Sequence, residues 1–232
     1  SPATAPPPAP SAAPPMRLET GLQTSPITPP PAKPSVIKET RAPSAAEQAE
    51  AAWEQARRAQ EQGRTVDMLR LLEQALQLDP AHGRARQSLA LTYLQQGQAG
   101  SAEPVLREGM QLHPNDIWYP RSLAQLRLQQ GDTTQAVNLL KGALAKLSAP
   151  AGDWALLAGA QAKLQRHDEA AAAYREALRR DPTQGAWWVG LAVVLEHRGE
   201  RADAQAAYTQ ALQTRLSPPL RDFATQKTQE LR

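Results

Sequence analysis

Cysteine is absent from the 232 residues, so disulfides and thiolate metal sites are excluded while the redox compartment stays open. Aromatic side chains are few, at five Trp, four Tyr and one Phe. No apolar run reaches the roughly 18–20 residues that a membrane span needs. Charge of one sign is lacking too: 26 basic residues stand against 23 acidic ones, for a net +3. That balance leaves no nucleic-acid footprint, whatever the pI of about 9.4 suggests. Catalytic signatures are missing as well. No G-x-x-x-x-G-K-[ST], no G-x-S-x-G and no H-E-x-x-H occurs. His82, His113, His167 and His197 lack paired ligand spacing, and Asp168-Glu169 falls where acids complement a helix N-terminus. The expectation is a protein that is no enzyme, with no cofactor, metal, small-molecule substrate or nucleic acid.

What is present divides in two. Thirteen of the 21 prolines fall before residue 44, in a segment that otherwise holds mainly Ala, Ser and Thr. Such residues fix φ, remove donors and bury little. Residues 1–44 are expected to be a disordered Pro/Ala-rich linker, reaching roughly 130 Å if fully extended and roughly 35–40 Å as a coil. Two less Pro-dense pieces, Met16–Glu19 and Ser35–Lys38, could dock on a partner as short strands or be plain linker. The chain opens Ser-Pro-Ala-Thr without an initiator Met or a signal peptide. It is expected to be a piece of something longer whose upstream anchor was removed.

From Ser44, with Glu47 placed to complete a capping box, the composition turns to Ala, Leu and Gln, which favours helix. A series then recurs. Trp154, Leu157, Ala158, Ala170, Tyr174 and Ala177 return 34 residues later as Trp188, Leu191, Ala192, Ala204, Tyr208 and Ala211. In segments 49–82, 83–116, 117–150, 151–184 and 185–218 the eighth residue is always Ala. The fifteenth is Gly63, Gly97, Gly131 and Gly199, with Gln165 deviating. The twentieth is Ala except for Met68, and the twenty-seventh is Ala except for Gly109. Small residues at positions 8, 20 and 27 let two helices of a hairpin approach closely, while large ones at 4, 7, 11 and 24 fill the gap to the next hairpin. Gly at position 15 ends the first helix, and Pro80, Pro114 and Pro182 stop the second.

This pattern resembles the tetratricopeptide repeat, which implies an all-α, right-handed superhelical solenoid of five hairpins over 45–218. Residues 219–232 form an amphipathic capping helix entered by Pro218 and Pro219. Pro120 implies a late start for the first helix of the third repeat, and Pro150 is expected to terminate that repeat. Ala52, Gln55 and Ala59 read as a solvent-facing terminal cap. Trp154 and Trp188 read as core, and Trp187 as an edge residue that packs or anchors.

In tetratricopeptide repeats the first helices line a concave groove, mainly through positions 2, 5, 9, 12 and 13. The resemblance assigns to this groove Trp53 and Arg57, with Gln60, then Gln87, Leu91 and Leu94. The third repeat adds Trp118, Arg121, Gln125 and Leu128. The fourth adds Ala155, Gly159, Ala162 and Lys163, small enough for a helix or extended peptide to come close, and the fifth Val189 and Val193. Position 9 is never Asn, which argues against the carboxylate clamp of chaperone-binding members. Protein partners are expected in this groove, though its Leu and Val could equally pack on neighbouring helices.

The C-terminal part is more particular. Residues 185–196, Ala207–Leu212 and Leu216–Phe223, with the junction Val36–Glu39, resemble MshN-type biogenesis proteins of mannose-sensitive haemagglutinin (MSHA) type IV pili over residues 35–232. That resemblance implies the periplasmic portion of an inner-membrane-tethered protein, partnered by pilus or secretion-machine components. A soluble cytoplasmic scaffold or chaperone adaptor, or the regulatory module of a larger enzyme, remains the alternative.

Overall fold

Helix formation opens on a capping box. Ser44 Oγ accepts the backbone N–H of Glu47 at 3.2 Å, and the Glu47 carboxylate accepts that of Ser44 at 2.6 Å. Two donors that the helix start would otherwise orphan are thereby satisfied. The computed structural model describes residues 41–232. The Pro-rich stretch 1–40, including both of its short docking pieces, lies outside the described residues.

Eleven helices and no strand occur among the described residues. They are α1 (Ala45–Glu61), α2 (Thr65–Leu78), α3 (Gly83–Gln95), α4 (Ala99–Leu112), α5 (Trp118–Gln129) and α6 (Thr133–Leu144). There follow α7 (Ala151–Lys163), α8 (His167–Arg180), α9 (Gly185–His197), α10 (Arg201–Leu212) and α11 (Pro218–Glu230). Each helix packs mainly on the one before and the one after it. Five antiparallel pairs, α1–α2 through α9–α10, thus stack in chain order as an all-α superhelix, closed by α11.

The small positions explain the pairing. Ala56, Ala90, Ala124, Ala158 and Ala192 are all buried, as are Ala102, Ala136, Ala170 and Ala204. Between the paired backbones sit Leu72, Leu106, Leu123, Leu140 and Tyr208, each almost wholly out of water. Burial of a Leu of that kind stabilises by about 1.5–3 kcal/mol. The hairpin turns depend on a left-handed residue: φ is 69° at Gly63, 69° at Gly97, 83° at Gly131 and 77° at Gly199. Gln165 adopts the same conformation, with φ 60°, at the steric cost that glycine avoids. At the other end, Asp79 and Asp181 are extended ahead of Pro80 and Pro182, the geometry a following proline imposes.

The third repeat starts late, as Pro120 implies, while several other elements depart from the sequence expectations. The helix α5 begins one repeat position later than α3, α7 and α9, with Pro120 third in the helix, where no intrahelical N–H bond is lost. Pro150 does not terminate α6, which ends at Leu144; it is the residue that caps the start of α7. Ala52 and Ala59 do not face solvent. With Ala49 and Ala56 they form a buried stripe against α2, and their small size reflects close helix approach rather than exposure. Gln55 alone of that trio is exposed. Trp154 and Trp188 are half-buried rather than core. The Arg180 guanidinium lies 5.1 Å from the Trp154 ring, and Trp188 Nε1 donates to the Pro182 carbonyl at 2.8 Å.

The last helix is held by its own chemistry. Ala224 is buried, and the Phe223 ring meets Tyr208 edge-on at 5.9 Å. The Tyr208 hydroxyl donates to Glu196 Oε2 at 2.6 Å while Lys227 Nζ donates to Glu196 Oε1 at 3.2 Å. Burial, then the Glu196 bond, pushes the Tyr208 phenol up, so it stays a donor at any physiological pH. One carboxylate therefore joins the fifth hairpin to its cap.

Candidate protein-binding groove

The first helices of the middle repeats stand side by side, and the side chains they do not commit to packing meet at one place. Leu91 and Leu94 from α3, Trp118, Arg121, Ser122 and Gln125 from α5, and Asp153, Ala155 and Leu156 from α7 line an open groove of about 640 Å³. Tyr174 from α8 and Trp187 from α9 complete its wall. Leu91 is 45% exposed and stands beside the half-buried Leu94, Trp118 and Trp187.

The helix α5 sets the floor. Trp118, Arg121 and Gln125 fall at i, i+3 and i+7, one stripe of the helix. Asp116 fixes where that stripe starts: its Oδ1 accepts the Trp118 backbone N–H at 2.9 Å and its Oδ2 accepts the Gln87 amide at 2.7 Å. Beneath Trp118 lies Tyr119, fully buried, with ring centroids 5.2 Å apart and planes at 89°. Burial raises the Tyr119 phenol to about 12, and its ring is stacked on His113 at 5.6 Å.

Arg121 Nη1 approaches Asp153 Oδ1 at 3.5 Å, the only ion pair that Arg121 makes among the described residues. The Asp153 side chain is only 4% exposed, and its Oδ2 has no hydrogen-bond partner among the described residues. Burial holds its carboxyl above the usual range, with Arg121 pulling the other way. Desolvation wins because the one ion pair is long.

Leu91, Leu94, Trp118, Arg121, Gln125 and Ala155 are thus the sequence-assigned residues that the structure brings together. Others lie elsewhere. Trp53, Arg57 and Gln60 line a separate cavity of about 110 Å³ in the first hairpin. There Arg57 is held by Glu54 and Glu61 on its own helix, and Trp53 lies under the Arg84 guanidinium at 4.1 Å. Gln87 is engaged by Asp116 at the groove's edge. Leu128 is half-buried and packs against the core between the third and fourth hairpins. Val189 is buried, while Val193 and Ala162 pack partly against the last core cluster; Lys163 is exposed but outside the lining.

The expectation of open room over the small residues of the fourth repeat is also corrected. A Cβ on Gly159 would stand 3.7 Å from the Tyr174 hydroxyl, and one on Gly190 only 2.5 Å from it. Tyr174, a second-helix residue, reaches the groove between these two glycines. It was not among the assigned residues, nor were Ser122, Asp153 and Leu156. The signal for Tyr174 was the pair of glycines flanking it from adjacent hairpins, Gly159 and Gly190.

Two family models, both described as tetratricopeptide repeat, match the chain, one over residues 37–126 and the other over 121–184 and 156–220. No curated protein matches. Among solved structures, MamA is similar with a TM-score of 0.64 at 19% identity, over 72% of this chain and 91% of that one. YrrB, described as a TPR protein with an unusual peptide-binding site, gives 0.64 at 15%, over 77% and 92%. PilF of Pseudomonas aeruginosa gives 0.62 at 16%, over 81% and 90%. At such identities the likeness is one of fold alone.

Proposed function

Because the chain belongs to the tetratricopeptide-repeat family, we propose that it is a non-enzymatic scaffold whose groove captures a segment of a partner protein. The observation that carries this reading is the groove between α3, α5 and α7, where Leu91, Trp118 and Trp187 remain accessible beside uncommitted polar donors. Aromatic anchors around a polar centre are the composition of binding hot spots. YrrB, with its peptide-binding site, shows the same fold put to such use.

The finer reading is biogenesis of a type IV, MSHA-like pilus or a related envelope secretion machine, in the periplasm, with the Pro-rich lead as a tether to the inner membrane. It rests on the resemblance of residues 185–196 and 216–223 to MshN-type proteins. No helix among the described residues is long and apolar enough to cross a membrane, so any anchor is a segment other than these. A tether would give reach and raise effective concentration, leaving specificity to the groove.

The test is a photo-crosslinking residue at position 125, in cells that make the protein, with and without Leu91→Glu. Leu91 is exposed, so the substitution leaves folding intact, whereas Leu128→Glu would place a charge against the core. Pilus or secretion components crosslinked in the parent and lost with Leu91→Glu are the expected result. Adducts unchanged by Leu91→Glu would count against groove capture, and adducts only with cytoplasmic proteins against the envelope.

A further inference from the structure

Resting on the groove reading, we propose that the groove selects a partner segment bearing an aspartate or glutamate side chain between apolar side chains, with its carboxylate seated on Arg121 and Gln125. The charge accessible in the groove is positive. Of the two acids near it, Asp116 already accepts from Gln87 and the Trp118 backbone, and Asp153 is buried behind Arg121. Arg121 is 30% exposed and commits a single nitrogen to Asp153, at 3.5 Å. Its guanidinium keeps further N–H groups in a planar fork suited to a carboxylate. Asp153 holds that fork from the rear, so less rotamer freedom is lost when a ligand arrives. Gln125, one turn further along α5, is exposed on the same stripe and lines the same groove.

The flanks define the rest of the segment. Leu91 and Leu94 come from α3, before α5 in the stack, and Leu156, Tyr174 and Trp187 from α7, α8 and α9 after it, with Trp118 on α5 one turn from Arg121. A chain-terminal carboxylate would leave one of these apolar walls uncovered. An internal acidic residue covers both, with aliphatic or aromatic side chains before and after it.

The probe is a displayed library of random dodecapeptides, fused so that neither end is free, panned on the folded protein. The expected result is enrichment of Asp or Glu bracketed by apolar residues. Synthetic versions should lose affinity roughly 10-fold or more when that acid becomes its amide, and should weaken with added salt. Gln125→Glu, at an exposed position, should weaken the acidic peptide by a similar factor while sparing the amide analogue. Arg121→Gln should do the same, with its melting curve checked because Asp153 loses its partner. Binders that need Leu91 but carry a basic residue at the centre, need a free C-terminal carboxylate, or ignore Gln125→Glu would overturn this selectivity and leave groove capture standing. Binders indifferent to Leu91→Glu, or no enrichment at all, would overturn the groove reading and this inference with it.

Discussion

Repeat position 27 holds Ala in four hairpins and Gly109 in the second, and the third hairpin opens with a Tyr where Ala85 stands in the one before. The two departures are one fact. A Cβ on Gly109 would lie 2.2 Å from Tyr119 Cε1 and 2.3 Å from Cδ1, whereas carbons attract best at about 3.5–4.0 Å. The ring would have to retreat by more than about 1 Å, yet it is fully buried between His113 and Trp118. Overpacking of this kind costs about 1–3 kcal/mol, against a helix-propensity gain of about 1 kcal/mol for Ala over Gly. Gly109→Ala should therefore destabilise by up to about 2 kcal/mol. In a Tyr119→Ala background, itself destabilised by about 3–5 kcal/mol by analogy with Phe→Ala, the same change meets empty space and should stabilise by up to about 1 kcal/mol. The sign reverses, for a coupling of about 1–3 kcal/mol, the overpacking cost itself. Denaturant unfolding of the four proteins measures it, followed by far-ultraviolet circular dichroism. Tryptophan emission gives a second readout, since Trp118 rests edge-on to Tyr119. Equal effects of Gly109→Ala in both backgrounds, within about 0.5 kcal/mol, would refute the reasoning.

Other consequences can be measured on the same material. Gln165 holds φ 60° where the other turns have Gly, so Gln165→Gly should raise stability by about 1 kcal/mol, seen as a higher denaturation midpoint. For Asp153, burial raises the folded-state pKa above its ordinary 3.8, so the folded chain binds that proton more tightly than the unfolded one. Stability from this group is then fully present below the ordinary carboxylate range and is lost as pH rises towards the raised value. Thermal melts across that range should show the wild type losing ground to Asp153→Asn as pH rises, then running parallel; a constant gap would remove the argument.

The five-hairpin register was legible because it depends on volume at a few positions, and volume is a property of single residues. The Ala series at position 8 and the turn glycines required no knowledge of neighbours. The groove was legible only where a first-helix residue points outward without competition, as for Leu91, Trp118, Arg121 and Gln125. Val189 looked equivalent by position but is covered by the packing around α9 and α10. Tyr174 was missed for the converse reason: it belongs to a second helix and reaches the groove through gaps left by residues 15 positions before and 16 after it. Such gaps are relations between hairpins, and a one-hairpin template does not contain them. Asp153 was hidden similarly, since its role depends on Arg121 arriving from the previous repeat.

Contacts that run almost wholly from each helix to its neighbours leave the molecule without a closing seam. Unravelling can then begin at either end and travel inward one hairpin at a time, like a zipper with two sliders. The groove lies across α3, α5 and α7, away from both sliders, so fraying of α1 or α11 need not disturb it. A segment seated there would touch three hairpins together and add to the few direct links between their first helices, such as Arg121–Asp153. Occupancy should therefore lengthen amide-exchange lifetimes most in the centre of the stack, by mass action, and turn a compliant spring into a stiffer one at the place where load from a partner enters.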